Sequence, residues 1–205
     1  MRPLYSIIAT LDNGNVSNDT LHIIFSKNEQ ILSNNYLLGL LNSKLMTWIY
    51  QMEHPTEVNK PMAQVKKTFV EELPVSIGTQ EQIEQIETIV SNLLIMCQKK
   101  YEQKKQFLNY IVNVYEPNKV SEQMESFTKL SFKEFINELK KQKVKLTAAQ
   151  QMDLLSLYDE QKIKLEQISL QINELQSSLD DIVFSIYQIP QNISDMIKQN
   201  IQIEL

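Results

Sequence analysis

The residues in the first half of the chain whose types suit binding chemistry lie between positions 54 and 67. Lys60, Gln64, Lys66 and Lys67 form its only compact cluster of basic and amide side chains. A lysine can contact a phosphate and a glutamine can bond to a base edge, although a short charged pair equally suits the edge of a soluble sheet. His54 lies in a loop bounded by proline, where it is either offered to a partner or an ordinary exposed residue.

Catalytic signatures are missing from the sequence. It contains no Gly-x-Gly-x-x-Gly, no Walker-type Gly-Lys-Ser/Thr, no His-Glu-x-x-His and no Gly-x-Ser-x-Gly. The acidic pairs Glu71-Glu72 and Asp180-Asp181 consist of neighbours that point to different faces of a strand or helix, so we expect surface charges. Cys97 lies in an apolar-flanked helical run, which predicts a buried and inert thiol. We therefore expect neither catalytic nor metal-binding residues.

Charge and composition exclude further classes of function. The 205 residues include 20 basic and 25 acidic side chains, a net charge of -5, which argues against capture of nucleic acid or an anionic membrane by the whole surface. The single cysteine excludes an intramolecular disulfide, and the two histidines are too far apart in sequence for a metal site. Neither a signal peptide nor a membrane-spanning apolar run occurs. We expect a cytoplasmic protein without a membrane partner, in which any DNA contact is local.

Residues 1–77 carry the β-branched runs, turn residues and prolines, and they predict a small mixed α/β domain. Two β-rich runs, 3–10 and 20–26, flank a segment containing Asn-Gly and predict a hairpin. Apolar residues recur at helical spacing from position 37 to 52 and predict one amphipathic helix on the sheet, which ends before Pro55. Residues 62–75 are expected to give a short strand or turn and an extended piece that rejoins the sheet.

Residues 78–205 predict a helical region. Thr79, Ser131 and Thr147 are each followed three positions later by Gln or Glu, the capping box that marks a helix start. They predict helices over about 80–115, about 132–142 and from 148 onward. The first helix is expected to bury Ile83, Ile86, Val90, Leu93, Leu94, Tyr101, Leu108 and Val112.

The last long helix carries a coiled-coil seam. Its residues alternate in steps of three and four, and they are Tyr158, Gln161, Leu165, Ile168, Ile172, Leu175, Leu179, Ile182 and Ile186. We expect an antiparallel coiled coil with the 80–115 helix of the same chain, while a homodimer through the same seam is the competing possibility. The predicted fold class is therefore α+β, a mixed α/β body followed by an antiparallel coiled-coil region.

Several stretches occur in an order that resembles a known family. They are YLLGLLNSKLMTWIYQ, a leucine-rich helix with Leu-Asn-Ser-Lys; PMAQVKKTFVEELPV, a Lys-bearing strand ending in Leu-Pro-Val; and TQEQIEQIETIVSNLL, a Glu-Gln-x-x-Ile helix. The tail from Asp180 to Pro190 is similar to that family's closing Asp-x-x-Val-x-x-Leu-Tyr-x-Leu segment. Over roughly residues 2–95 and 150–200, the chain resembles the TaqI-like C-terminal specificity domain of type IIG restriction-modification enzymes.

The resemblance implies a non-catalytic target recognition domain. It would lay loops against double-stranded DNA, while its helices would position it against a DNA methyltransferase or nuclease module in cis or in trans. Catalysis would belong to that module, with S-adenosylmethionine and Mg²⁺ as its cofactors. The family also carries a segment before the equivalent of Arg2-Pro3, so the resemblance implies a C-terminal fragment or a shortened gene product.

The candidate DNA contacts follow from the resemblance and from side-chain chemistry. Asn and Gln can pair bidentately with adenine and Lys with guanine, and residues 1–75, with 6 basic and 7 acidic residues, form a nearly neutral reader. Most affinity would then come from phosphate contacts of an attached module. The candidates are Asn13, Asn15, Asn18, His54, Lys60, Gln64, Lys66 and Lys67. Asn42 and Ser43 are expected to pack and cap a helix instead.

A structural role is the alternative hypothesis. A hairpin and helix followed by a coiled coil could serve as an oligomerisation or adaptor module without DNA binding, its lysines and asparagines merely solvated. DNA affinity that depends on Lys66 and Lys67 would distinguish the two.

Overall fold

The computed structural model describes residues 6–11, 23–24, 32–54 and 65–203. Within these ranges the chain forms eight α-helices and one 3₁₀ turn. The elements are α1 (Asn34–Leu41), α2 (Lys44–Glu53), α3 (Lys67–Glu71), α4 (Gln80–Tyr115), α5 (Glu122–Glu125), the 3₁₀ turn (Phe127–Lys129), α6 (Phe132–Lys141), α7 (Ala148–Ile186) and α8 (Gln191–Asn200). None of the helices in this part of the chain has the length and apolar character that crossing a bilayer requires.

All three predicted capping boxes are present. The Ser131 hydroxyl accepts the backbone N–H of Glu134, whose carboxylate accepts the N–H of Ser131. Thr79 caps α4 and Thr147 caps α7 in the same reciprocal way, each with a glutamine three positions on. The starts of α4, α6 and α7 therefore fall where the sequence places them, because a cap needs only residues within one turn.

The predicted α+β class is wrong, because no residue that the structure describes lies in a strand. Residues 6–10 are five of the eight positions of the predicted first strand, and here the backbone of Ile7 and Ala9 is bonded by side chains instead. The Ile7 N–H donates to the Thr47 hydroxyl (3.2 Å), and the Asn42 side-chain amide bonds to both the N–H and the C=O of Ala9 (2.8 and 2.9 Å). The rest of the predicted hairpin lies outside the described residues, apart from positions 23 and 24, which are also not in a strand.

The predicted Lys-bearing strand is the short helix α3. Thr68, Phe69 and Val70 have high strand propensity, but a strand is stable only when a neighbouring strand satisfies its backbone. The helix instead turns Phe69 and Val70 onto a core cluster that includes Tyr50 and Leu73. Tertiary packing thus overrides local propensity at this point.

The predicted leucine-rich helix is divided into α1 and α2. Ser43 has extended backbone dihedrals, and its hydroxyl accepts the N–H of Met46 (3.3 Å), which starts a new helix inside the apolar repeat. As predicted, α2 ends at Glu53, before Pro55.

The chain divides into two compact units, of which the first comprises Met1–Leu93 and Leu175–Leu205. Within this unit α1 approaches α4 and α7 closely at Gly39. A Cβ atom on Gly39 would lie 2.6 Å from Cγ2 of Ile86, with Val90 and Leu179 also within 3.3 Å. Only glycine fits there, so the contact depends on this one residue.

The second unit, Leu94–Glu174, is organised around buried aromatic side chains. Phe107 of α4 contacts Tyr158 of α7 and Phe127 of the 3₁₀ turn, with ring centroids 6.4 and 4.4 Å apart. The Tyr158 hydroxyl donates to the carbonyl oxygen of Leu130 (2.7 Å) and also lies 2.9 Å from that of Phe127. Phe135 of α6 lies against the same rings, so the short helix packs on the long pair.

The antiparallel pairing of α4 and α7 is observed in the second unit, where Phe107 packs on Tyr158 and, one turn earlier in α4, Gln103 bonds to Gln161 one turn later in α7. In the first unit Gln82 of α4 bonds to Ser185 of α7. The seam residues from Tyr158 to Ile172 are buried as predicted.

Two residues of α4 that were predicted to face inward are exposed. Tyr101 is 54% exposed and Val112 is 39% exposed, whereas Phe107 and Ile111 are buried. Phe107 and Ile111 each come one position before a residue that was predicted to face inward, Leu108 and Val112, so the buried face of this part of α4 is turned by about one residue from the predicted face.

Candidate nucleic-acid interface

Three of the predicted DNA contacts lie together at the end of α2 and the start of α3. His54 caps the C-terminus of α2, and its ring stacks on Phe69 at 3.6 Å between centroids with an interplanar angle of 9°. Lys66 precedes α3 and places its Nζ 5.1 Å from the centroid of the Phe69 ring. Its backbone N–H donates to the Tyr50 hydroxyl (3.3 Å), which joins the two helices. Lys67, the next residue, is also exposed.

The other five predicted contacts are not placed. Asn13, Asn15, Asn18, Lys60 and Gln64 lie outside the described residues. His54, Lys66 and Lys67 therefore define the candidate site, which we call the α2–α3 surface, with Phe69 and Tyr50 as its support.

The α2–α3 surface is suited to binding an anion, because Lys66 and Lys67 expose two neighbouring ammonium groups. Lys67 is held by Glu71 one turn later, at 3.5 Å, and an exposed pair of this kind is weak enough to exchange for a phosphate. His54 Nε2 is buried and has no hydrogen-bond partner among the described residues. The support rings orient the histidine and one lysine, and among the residues that the structure describes no carboxylate or nucleophile stands beside them in a catalytic arrangement.

The Leu-Asn-Ser-Lys motif holds the helix pair together rather than facing a ligand. Ser43 caps α2, and the side chain of Asn42 fastens the extended segment at Ala9, so their predicted packing and capping roles are confirmed. The Asn42 carbonyl oxygen accepts a hydrogen bond from Nε2 of Gln176 on α7 (3.0 Å). The break between the two helices is thus fixed from both sides.

Asp180 corrects a prediction, because it is not a surface charge. It is 1% exposed, and its carboxylate accepts the backbone N–H of Lys44 at the start of α2 (2.8 Å). The Lys44 ammonium donates to the carbonyl oxygen of Lys198 in α8 (3.1 Å), and Lys198 forms an ion pair with the exposed Asp181. Burial raises the pKa of Asp180 to about 6, while the Lys44 N–H and charge, Gln176 and Lys198 act in the opposite direction.

A finer use of periodicity could have found this acid. Ile172, Gln176 and Asp180 are spaced four residues apart, so one face of α7 carries all three. The seam prediction instead placed Leu175 and Leu179 inward, left Gln176 unassigned and treated Asp180 as a surface charge. Both are buried, which identifies them as part of the junction between α7 and α2.

The Leu-Pro-Val segment is held by two tyrosines. The Tyr187 hydroxyl donates to the carbonyl oxygen of Pro74 (2.6 Å) and accepts the N–H of Ser76 (2.9 Å). The Tyr36 hydroxyl donates to the carbonyl oxygen of Ser76 (2.9 Å) and accepts the N–H of Gly78 (3.0 Å). Burial is the main cause that raises the pKa of both phenols. The tail and Leu-Pro-Val, far apart in sequence, therefore meet in the fold.

These contacts define a helical scaffold that carries a lysine-bearing surface. Residues 3–75 match the TaqI-like C-terminal specificity domain, which confirms the resemblance over these residues and indicates a role in DNA sequence specificity in restriction-modification. Residues 79–183, just over half of the chain, match the family described as Domain of unknown function (DUF8810), and the chain belongs to this family. No curated protein and no solved structure matches the chain.

Proposed function

We propose that this chain recognises a DNA sequence for a type IIG restriction-modification enzyme and performs no catalysis itself. The observation that carries the proposal is the specificity-domain match over residues 3–75. The candidate site lies inside the matched segment, where His54, Lys66 and Lys67 share one surface.

In this proposal the α2–α3 surface sets the position of the protein on the duplex. Lys66 and Lys67 contact phosphates, which fixes the register on DNA without reading sequence. Base edges are read by the candidates outside the described residues, which are Asn13, Asn15, Asn18, Lys60 and Gln64, while His54, whose Nε2 is buried, supports the surface by stacking on Phe69. Asparagine and glutamine suit adenine, because they can bond to its N6 and N7 together.

The catalytic partner is proposed to be a DNA methyltransferase or nuclease module, joined in cis or bound in trans. S-adenosylmethionine and Mg²⁺ would belong to that module. We also propose a functional division between residues 1–77 and 78–205. The two family matches support it, since one ends at residue 75 and the other begins at residue 79.

Selection from a randomised duplex library with the full chain at low salt tests this function. We expect enrichment of one short motif, followed by a steep loss of binding as salt rises. Failure to enrich any motif, even when the DNA methyltransferase or nuclease module is supplied in trans, would contradict sequence recognition and favour the adaptor hypothesis.

A charge-reversal pair tests the assigned surface. Lys66→Glu with Lys67→Glu should weaken binding to the selected duplex by at least tenfold at low salt, because two phosphate contacts become repulsions. The matched control is Lys99→Glu with Lys133→Glu, which changes the charge equally at exposed positions of α4 and α6. Equal losses in both variants would mean that net charge, and not the α2–α3 surface, determines affinity.

A further inference from the structure

The second unit carries most of the positive charge of the protein. Residues 94–174 contain 13 of the 20 basic residues and 11 of the 25 acidic residues, so this unit has a net charge of +2 while the whole chain has -5. The positive charge is not spread evenly over this unit, since four of its lysines fall within six consecutive residues at the end of α6.

This cluster, which we call the basic loop, consists of Lys140, Lys141, Lys143, Lys145 and Lys119. All five side chains are exposed, and no acidic residue interrupts positions 140–145. Lys119 comes from the segment after α4. It is brought to the same place by the hydrogen bond from the N–H of Asn118 to the carbonyl oxygen of Gln142 (3.1 Å).

Local stability explains only part of this arrangement. Lys140 and Lys141 lie in the last turn of α6, where cations interact favourably with the helix dipole, and Lys141 also pairs with Glu138. Lys143 and Lys145 follow the helix, so the dipole does not account for them. The lysines beyond the helix therefore require another reason.

The backbone conformation of Lys143 is a second sign that these lysines have a role other than local stability. Its φ is 67°, in the left-handed region, and α6 ends there in a Schellman motif with hydrogen bonds from Lys143 N–H to Lys140 and from Val144 N–H to Leu139. Glycine is the favoured residue at this position because a Cβ atom is strained in that conformation. The sequence instead places a solvent-directed positive charge on a strained residue, which points to a use outside the fold.

We propose that the basic loop contacts the phosphates of duplex DNA without reading sequence, an inference that rests on the proposed function. Lysine is a compact charge on a flexible stem, which suits phosphate neutralisation rather than bidentate base readout. The loop would then supply within this chain the salt-dependent affinity that the nearly neutral segment 1–75 lacks.

The test measures duplex binding by the full chain at a series of KCl concentrations, with a labelled duplex of arbitrary sequence. The variant Lys119→Gln/Lys143→Gln/Lys145→Gln leaves the pair between Lys141 and Glu138 intact. Each lost phosphate contact should reduce the slope of log affinity against log salt by about 0.9, so we expect a reduction of about 2 to 3. The matched control, Lys99→Gln/Lys105→Gln/Lys133→Gln, should change the slope by less than about 1.

Lys143→Gly separates binding from folding. It should raise the melting temperature, because the left-handed backbone is relieved, and still lower the slope by about 0.9. An unchanged slope in the triple variant, with duplex binding retained, would overturn the basic-loop proposal and leave the proposed function intact. Loop-dependent binding with no sequence preference would support the loop and contradict the proposed function. Absence of duplex binding by the unmodified chain at the lowest KCl concentration would overturn the basic-loop proposal, and library selection with the DNA methyltransferase or nuclease module supplied in trans would then decide the proposed function.

Discussion

Replacing Asp180 with asparagine should stabilise the protein above pH 6. Burial raises the pKa of this carboxyl group from 3.8 to about 6 in the native state. The native state therefore holds the proton more tightly than the unfolded chain does, and the resulting stability is full below pH 4 and is lost as the pH rises through 6. Each pKa unit corresponds to about 1.4 kcal/mol, so ionisation costs the native state about 3 kcal/mol at pH 7.

Asparagine removes the charge and keeps the geometry. Its side-chain oxygen can accept the N–H of Lys44 as the carboxylate does. Its amide can donate to the side-chain oxygen of Gln176, which is buried and has no partner in the described part of the chain. The weaker hydrogen bond of a neutral acceptor offsets part of the gain. We expect the variant to be more stable by about 1 to 3 kcal/mol at pH 7 and equal to the unmodified chain near pH 4.

Urea unfolding followed by circular dichroism at several pH values measures this difference. The other titrating groups are shared by both proteins and cancel in the comparison. Asp181→Asn is the matched control, because this neighbour has a side chain that is 60% exposed and forms an ion pair at the surface. The control should shift stability by less than about 1 kcal/mol. A difference for Asp180→Asn that does not grow between pH 4 and pH 7 would refute the argument.

Three further substitutions test the packing of the scaffold by the midpoint of urea unfolding. Gly39→Ala should destabilise by about 1 to 3 kcal/mol, because the added carbon would lie 2.6 Å from Ile86, and an unchanged midpoint would contradict this close approach. Tyr187→Phe should cost about 1 to 3 kcal/mol by removing the hydroxyl bonded to Pro74, and no loss would mean that water replaces it. Ser131→Ala should cost about 1 kcal/mol, whereas Ser131→Gly should cost less; equal losses would argue against a capping effect.

Helix boundaries after residue 78 could be predicted because their signals are local. The caps at Thr79, Ser131 and Thr147 involve residues three positions apart, and the observed helices begin immediately after them. The same locality explains the end of α2 before Pro55. The antiparallel pairing also followed from the sequence, since two long amphipathic helices in one chain can bury their faces against each other.

Strand propensity between residues 62 and 75 misled the prediction. A strand needs a partner at a distance in sequence, which a run of β-branched residues does not specify. In the fold, the backbone of Ile7 and Ala9 bonds to side chains of Thr47 and Asn42, and Phe69 turns inward from a helix. Side-chain bonding and helix packing satisfy these groups where a sheet was expected.

At the candidate site, too, the sequence identified residues but not the contacts that position them. Residue types selected His54, Lys66 and Lys67, but the stacking of His54 on Phe69 and the support by Tyr50 are contacts between two helices separated in sequence. Side-chain chemistry can identify candidate DNA-contacting residues, whereas the surface that presents them depends on packing.

The sequence by itself determined where α4, α6 and α7 start and where α2 and α4 end, because caps, prolines and helical spacing act within one or two turns. Only the tertiary structure decided which polar groups are buried. In the sequence, Asp180 and Gln176 look like ordinary exposed polar residues of a helix. In the fold, Asp180 accepts the backbone N–H of Lys44 and Gln176 donates to the carbonyl oxygen of Asn42, each more than 130 positions away. The free energy of a buried carboxylate depends on desolvation and on neighbours that only the folded chain brings together.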